Sequence, residues 1–391
     1  MKNIIVVVVK LAGKICPQEC INFYEDNEGF LYPVILESKC IQCGLCERVC
    51  PIMHCHERDN AVLGTYVSYA KNSNIRTQSS SGGIFSVLAE IILLNNGVVV
   101  GAAFDENMLV RHILVSRLED LDKLRGSKYL QSNIGNIFLK IQQLLISNRL
   151  VLFSGTECQI VGLKKFLGKE YENLYTIDIL CHGVPSPKVW RTYLNEQEKN
   201  FSARAMKVSF RNKVRGWKEF SLQIMFDNGE KYEEIFTKDR YMKFFLRNIS
   251  LRPSCYKCKF KLLNRESDIS LGDCWGIDSY MPDMDDDKGT SIILIHSLKG
   301  ESLFNKCKDK LKYSVAETDL VLPPDSDSRI SVTMHKNREK FFTSLNKGKS
   351  TEKLVKLVEN SYITQISLYI KKHIYYFLLA IRKKLFLVDK E

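Results

Sequence analysis

The sequence predicts an α/β protein, α+β overall, with a small cysteine-rich module in front and a helical tail behind. Three observations carry that expectation. Seven of the 13 cysteines (16, 20, 40, 43, 46, 50 and 55) fall in the first 55 residues. From Gly64 onward strand-like and helix-like patterns alternate, as they do in α/β domains. Beyond about residue 335 the chain is basic and helical in spacing. The 391 residues leave room for two or three domains. We divide them into 1–60, 61–149, 150–334 and 335–391, the middle two being parts of one core.

Composition narrows the class. A hydrophobic content of 45% and a charged content of 26% are ordinary for a globular protein. No run approaches the ~20 apolar residues that span a bilayer. The apolar run Ile4 to Val9 is too short for a signal-peptide core, so a cytoplasmic location is expected. Many cysteines in that compartment point to metal or redox chemistry, since cysteines two residues apart in series pair poorly as disulfides. The net charge of +12 invites a nucleic-acid reading. No nucleic-acid motif accompanies it, and ligated thiolates would offset part of it. The expectation is therefore no nucleic acid.

In the N-terminal module, "KCIQCGLCERVCP" sets Cys40, Cys43, Cys46 and Cys50 in the spacing C-x2-C-x2-C-x3-C-P, the bacterial iron–sulfur run. Zinc sites usually use two separated pairs instead. In two-cluster ferredoxins the cysteine before proline ligates the other cluster. On that swap, Cys40, Cys43 and Cys46 take their fourth ligand from Cys16 of "ICPQEC", and one [4Fe–4S] site is complete. "INFYEDNEGFLYPVI" between them reads as strand, turn, strand. Cys50 is then left over, or replaces Cys16 as a local fourth ligand. Cys20, His54, Cys55 and His56 read as ordinary surface or packing residues.

In the core, "IFSVLAEIILL" (84–94) has helical spacing and stops at Asn-Gly, and "VVVGAAF" (98–104) reads as a buried strand. Residues 134–147 read as a helix leading into the strand "LVLFSG" (150–155). Residues 160–171 read as another, leading into "LYTIDILC" (174–181). Adjacent parallel strands would bring Cys158 and Cys181 to one sheet edge, where ligands gather in open α/β folds. "SSSGG" (79–83) opens a helix, where free N–H groups suit a phosphate. Its plainer reading is a helix cap with a flexible turn.

Further strings complete the pattern: "GSKYLQS" (126–132), "FSGTECQIVGLK" (153–164), "CHGVPSPKVW" (181–190), "FRNKVRGW" (210–217), "RPSCYKCKFK" (252–261) and "SDISLGDCWGI" (267–277). Together they resemble the family of beta subunits of coenzyme F420 hydrogenases and dehydrogenases, including its bacterial relatives, over roughly residues 14–300. The resemblance implies an iron–sulfur flavoprotein with an α/β flavin-binding core. It implies FAD contacts at Ser80, Ser81, Gly82, Gly83, Gly126, Ser127, Lys128, Tyr129, Gly155 and Thr156. It also implies a second [4Fe–4S] cluster on Cys158, Cys181, Cys255 and Cys258, where buried inert cysteines plus a zinc knuckle are the alternative. Two positions depart from the family pattern. Glu157 stands where the family has proline and is expected to lower a neighbouring cluster's potential. Cys274 stands where an aromatic is usual and could act as a surrogate ligand.

A flavin accepts a hydride pair and releases electrons singly, which is why it accompanies one-electron clusters. We find no acid–base triad, and His182 reads as a histidine satisfied by backbone contacts. The leading reading is a flavin and iron–sulfur oxidoreductase working with a ferredoxin-like or deazaflavin carrier. The resemblance also makes a role in surface-polysaccharide biosynthesis plausible. One alternative is a non-catalytic electron-transfer subunit that needs a redox partner subunit. A weaker one is a zinc-stabilised nucleic-acid binder. The basic, amphipathic 362–388 stretch suits peripheral membrane contact, a partner helix, or packing on its own domain.

Overall fold

The computed structural model describes residues 15–53 and 62–359. His54, Cys55, His56, the Ile4 to Val9 run and the 362–388 stretch lie outside them. At the N-terminus, β1 (Ile21–Glu25) and β2 (Leu31–Ile35) pair antiparallel, with Glu25 opposite Leu31, as the sequence pattern anticipates. Asp26 fixes the turn by accepting hydrogen bonds from the N–H groups of Glu28 (3.0 Å) and Phe30 (2.8 Å). Gly29 adopts φ +89°, and a Cβ there would lie 2.4 Å from that of Lys188, so only glycine lets the turn seat on the core.

The remaining strands are β3 (Gly64–Ala70), β4 (Val98–Phe104), β5 (Val110–Val115), β6 (Val151–Thr156), β7 (Leu174–Ile179), β8 (Ala205–Asn212), β9 (Ser221–Phe226), β10 (Lys231–Ile235), β11 (Ile269–Asp273), β12 (Ser291–Ile295) and β13 (Leu311–Val315). Eight of them form one sheet in the order β13-β3-β12-β11-β7-β6-β4-β5. Its centre, β4-β6-β7-β11, is parallel, and the pairs on either side are antiparallel. The fold class expected from the sequence is thus observed, with strands from both halves of the core sharing one sheet.

Helices cover both faces because the central strands are apolar on both. Val99 and Leu152 pack with the helix Ile84–Leu94 on one side. Val98, Val100, Val151 and Phe153 pack with the helices Ile137–Ile146 and Glu157–Leu167 on the other. The second of these starts three residues earlier than its apolar spacing suggests. Thr156 and Gln159 form a capping box, which moves the helix start to Glu157. The three-stranded sheet β10-β9-β8 packs with helices Pro187–Phe201, Arg240–Leu246, Arg338–Asn346 and Thr351–Val355 around Trp190 and Tyr241. Among the described residues no helix is long and apolar enough to cross a membrane.

His112 on β5 is buried and bonded at both ring nitrogens, to Ser132 Oγ (2.7 Å) and the Ser154 carbonyl (3.1 Å). Burial holds it neutral and lowers its pKa from 6.5 to about 4. The unfolded chain therefore binds the proton more tightly. The stabilisation is complete above pH 6.5 and is lost as pH falls towards 4. Lowering the pH from 7 to 5 should remove about 2 kcal/mol through this one group. Chemical denaturation at both pH values should show that loss shrinking by the same amount in His112→Asn.

Candidate functional site

Two clusters of chemistry-bearing side chains stand at the carboxyl side of the parallel strands. The first is a cavity lined by Cys158, Cys181, Cys255 and Cys258, together with Ile52, Gln131, Ser132, Thr156, Arg252, Lys261 and Arg265. Parallel pairing places Thr156 opposite Ile179, so Cys158 and Cys181 each follow their matched residues by two positions. Cys255 and Cys258 come from the single-turn segment Pro253–Lys257 and the residue after it. Burial raises each thiol, and neighbouring cysteines add to it at Cys158, Cys181 and Cys255. Cys181 rises to about 12 and Cys255 to about 11. Burial followed by Cys258 raises Cys158 as well.

Below the cavity lies a buried polar network. Asp178, fully buried, accepts from Arg265 Nη1 (2.6 Å), Ser267 Oγ (2.7 Å) and Ser270 Oγ. Arg252 is 1% exposed and has no carboxylate in ion-pair contact among the described residues. Its Nε, like that of Arg265, is buried without a hydrogen-bond partner there. The cavity therefore carries surplus positive charge beside four thiols. That donor set fits a thiolate-bound [4Fe–4S] cluster, whose bound thiolates would supply the missing anions. Among the described residues no three His, Cys, Asp or Glu side chains are grouped as they would be around a single ion. A cubane binds each thiolate through a different iron, so it does not need such a grouping.

The glutamate at 157 corrects one expectation. Burial, then repulsion from Asp178, raises its carboxyl to about 8, so it is largely neutral at pH 7 and adds little negative charge to the cavity. Cys274 corrects another. It lies apart from the four thiols, in the apolar cluster of Trp217 and Met284, with its Sγ 3.0 Å from Tyr280 Oη. His182 is satisfied by side chains rather than backbone: Asn248 Oδ1 at 2.6 Å and Asp327 Oδ2 at 3.2 Å.

The second cluster gathers the serine–glycine strings. The Ser127 N–H donates to Ser80 Oγ (2.6 Å), which joins the 79–83 and 126–129 loops. The Gly82 N–H donates to Ser291 Oγ (3.0 Å), and Ser81 Oγ donates to the Thr290 carbonyl (3.1 Å). Gly83 is left-handed at φ +86° as the helix Ile84–Leu94 begins. A Cβ on Gly126 would meet nothing within 4 Å. Lys213 clamps this region by donating to the carbonyls of Arg76 (2.6 Å), Ser81 (3.1 Å) and Lys288 (2.7 Å). Arg211 pairs with Asp273 (2.9 Å) and donates to Tyr129 Oη (3.1 Å). Trp275, 48% exposed, stacks on Trp217 with ring centroids 4.4 Å apart.

Two expected contacts differ in detail. Lys128 Nζ donates to the Arg125 (2.8 Å) and Gly126 (3.1 Å) carbonyls of its own loop, and burial lowers it to about 7. The Tyr129 ring stacks on Phe245 at 4.5 Å within the core. Gly155 pairs with Asp178 within the sheet, and Thr156 lines the cysteine cavity, where its Oγ1 lies 3.0 Å from Cys158 Sγ. Sequence reasoning passes over Arg211, Lys213, Arg252 and Trp275, although each stands inside one of the strings that carry the resemblance.

In the N-terminal module, left-handed Gln42 and Gly44 turn the backbone between Cys40, Cys43 and Cys46. Cys43 is exposed, and Cys16, Cys40, Cys46 and Cys50 are half-buried. Cys20, expected to be a packing residue, is buried with its Sγ 3.3 Å from that of Cys16. Contact with Cys16, then burial and Cys40, raises its thiol to about 11. Ile52, two residues past Cys50, reaches the wall of the core cysteine cavity.

Residues 148–320 match the family model described as the C terminus of the coenzyme F420 hydrogenase/dehydrogenase beta subunit, and residues 33–53 match that of a 4Fe-4S binding domain. The F subunit of the F(420)H(2) dehydrogenase of Methanosarcina mazei is 28% identical over 126 residues, which cover 32% of this chain and 34% of that protein. The match thus spans about a third of the curated relative. A chain in a solved structure of the F420-reducing [NiFe] hydrogenase complex from Methanosarcina barkeri is similar at TM-score 0.45 and 16% identity, over 75% of this chain and 93% of that one. Fold and site together define an α/β protein carrying a 4Fe-4S domain at its N-terminus. Over residues 148–320 the chain is similar to the coenzyme F420 hydrogenase/dehydrogenase beta subunits.

Asp178→Asn leaves Arg265 buried without its counter-charge. It should destabilise the chain by about 3–5 kcal/mol, read as the loss in chemical denaturation against wild type.

Proposed function

We propose that this chain is an iron–sulfur flavoprotein subunit of an oxidoreductase, with one [4Fe–4S] cluster on the N-terminal cysteines and a second in the core cavity. FAD lies at the serine–glycine cluster. One observation supports this reading above the others. The segment 126–132 runs from one site to the other: Ser127 bonds Ser80, while Gln131 and Ser132 line the cysteine cavity. Five residue steps span at most about 18 Å, so the two sites are close neighbours.

The chain's own residues suit those roles. The 79–83 and 126–127 loops meet where the helix Ile84–Leu94 begins, and the Ser80 hydroxyl and the positive charge of Lys213 beside them would suit a pyrophosphate. Exposed Trp275, with Arg211 beside its face at 5.0 Å, offers a planar surface for a ring. Cys158, Cys181, Cys255 and Cys258 would hold the core cluster. Cys16, Cys40, Cys43 and Cys46 would hold the other, with Cys50 outside the set. FAD, when bound, supplies the conversion between a hydride pair and single electrons. Its partners would be a ferredoxin-like or deazaflavin carrier and a redox partner subunit.

Anaerobically purified protein should contain about eight iron atoms per chain and one FAD. Cys255→Ser should lose about half of that iron. Cys16→Ala should lose the other half, whereas Cys20→Ala should keep the full count. Iron loss in Cys20→Ala instead would move the ligand assignment to that residue. Lys213→Ala, which releases three loop carbonyls, should lose FAD while retaining iron, measured by cofactor extraction and colorimetric iron assay. Colourless protein containing zinc would refute the proposal.

A further inference from the structure

The two cysteine sets are joined through one side chain. Arg252 immediately precedes the Pro253–Lys257 segment that carries Cys255, and its backbone N–H donates to the Val184 carbonyl (2.9 Å). Its guanidinium leaves that loop and enters the N-terminal hairpin. There Nη2 donates to the Leu31 carbonyl (2.9 Å), and the group lies over the rings of Tyr32 (4.4 Å) and Phe30 (5.2 Å). Nη1 donates to Gln131 Oε1 (3.1 Å), part of the segment shared with the serine–glycine cluster. Arg252 therefore touches the hairpin, the cysteine loop and the cavity end of the segment that leads to the serine–glycine cluster.

Its charge has no carboxylate in ion-pair contact among the described residues, a condition that Lys261 of the same wall shares. Of the other cations in the cavity wall, Arg265 is neutralised by Asp178 at 2.6 Å. Lys261 donates to the carbonyls of His182 (3.0 Å) and Asp327. Each partner named for Arg252 is neutral, and its Nε is buried with no partner among the described residues. A buried guanidinium without an anion is costly, because desolvation is not repaid by an ion pair. The cavity offers Cys158 and Cys255 as candidate anions once they bind metal as thiolates. By contrast, Lys39 and Arg48 beside the N-terminal cysteines are exposed, and solvent and salt screen them.

We propose that Arg252 is a positioning residue that sets the reduction potential of the core cysteine site above that of the N-terminal one. The proposal rests on the two-cluster reading given above. A fixed, poorly screened positive charge stabilises the reduced, more negative state of whatever the core thiolates hold, and so raises its potential. The same side chain anchors the hairpin that presents the N-terminal cysteines. One residue thus contributes both to the spacing of the two sites and to the difference between them.

The test is an EPR-monitored redox titration of the anaerobically purified full chain, with iron counted in each sample. Wild type should give two [4Fe–4S] signals with separate midpoints. Absence of the core signal in wild type refutes the two-cluster reading, and this inference with it, before any variant is made. In Arg252→Gln the core midpoint should shift downward while the N-terminal midpoint stays in place and iron is retained. In Arg252→Lys, which keeps the charge but loses the fork to Gln131 and Leu31, the core midpoint should stay near wild type. Lys39→Gln should move neither. An unshifted core midpoint in iron-replete Arg252→Gln, equal shifts of both signals, or a downward shift in Arg252→Lys would each overturn the charge role. Should Arg252→Gln fail to load iron, Arg252→Met, which also removes the charge, takes its place, and an unshifted core midpoint there overturns the charge role.

Discussion

The cysteine cavity depends on the register between β6 and β7. Parallel pairing with Gly155 opposite Asp178 and Thr156 opposite Ile179 delivers both chains to the same edge in step. A slip of one residue would turn Asp178 and Ile179 to opposite faces and part Cys158 from Cys181. The register is held from two sides. Val151, Leu152 and Phe153 are wholly buried, and Asp178 ties β7 to Arg265, Ser267 and Ser270 around the neighbouring strand β11. Apolar burial sets the alignment of the strands, and the buried ion network fixes the loops that leave their carboxyl ends.

Charge is arranged as tightly as packing. Three acidic or basic groups at this edge are settled internally: Asp178 and Arg265 by each other, and Glu157 by taking up a proton near neutral pH. Arg252 alone of these reaches into the hairpin with no such partner. Low dielectric makes each of these choices expensive to reverse, because an unbalanced buried charge cannot be screened. The edge is thus cationic at Arg252 and Lys261, beside four thiols that burial keeps from ionising unaided.

Much of the fold is legible because burial imposes periodicity. The helix Ile84–Leu94, the strand Val98–Phe104 and the β1–β2 hairpin occur where apolar spacing and turn residues put them. The family resemblance marks the four cavity thiols, and parallel strand order explains the meeting of Cys158 and Cys181. The charged residues are harder to read. Arg252, Arg265 and Asp178 follow no period, and Arg265 reaches Asp178 across 87 positions. Cys274 misleads because nearness in sequence to a glycine-rich string is not nearness in space. Its side chain instead joins Trp217 and Met284 in a separate apolar cluster. Lys128 misleads in the opposite way: its loop stands where the sequence puts it, but its ammonium satisfies carbonyls of that same loop.

The placement of the N-terminal module is a matter of closure. Glu28, at the hairpin tip, pairs with Arg338 across 310 positions, and Arg338 also donates to the Leu251 carbonyl and Tyr256 Oη. Tyr256 lies between Cys255 and Cys258. One buried arginine from near the end of the described chain therefore holds both the hairpin and the cysteine loop. Closing so long a loop carries an entropy that grows only slowly with length, so a few well-made contacts at its ends suffice to hold it. Val49 adds an apolar anchor by burying itself among Ile134, Phe138 and Ile160. The module is thus built into the core at several points, and the separation of the two cysteine sets is a property of the fold rather than of a linker.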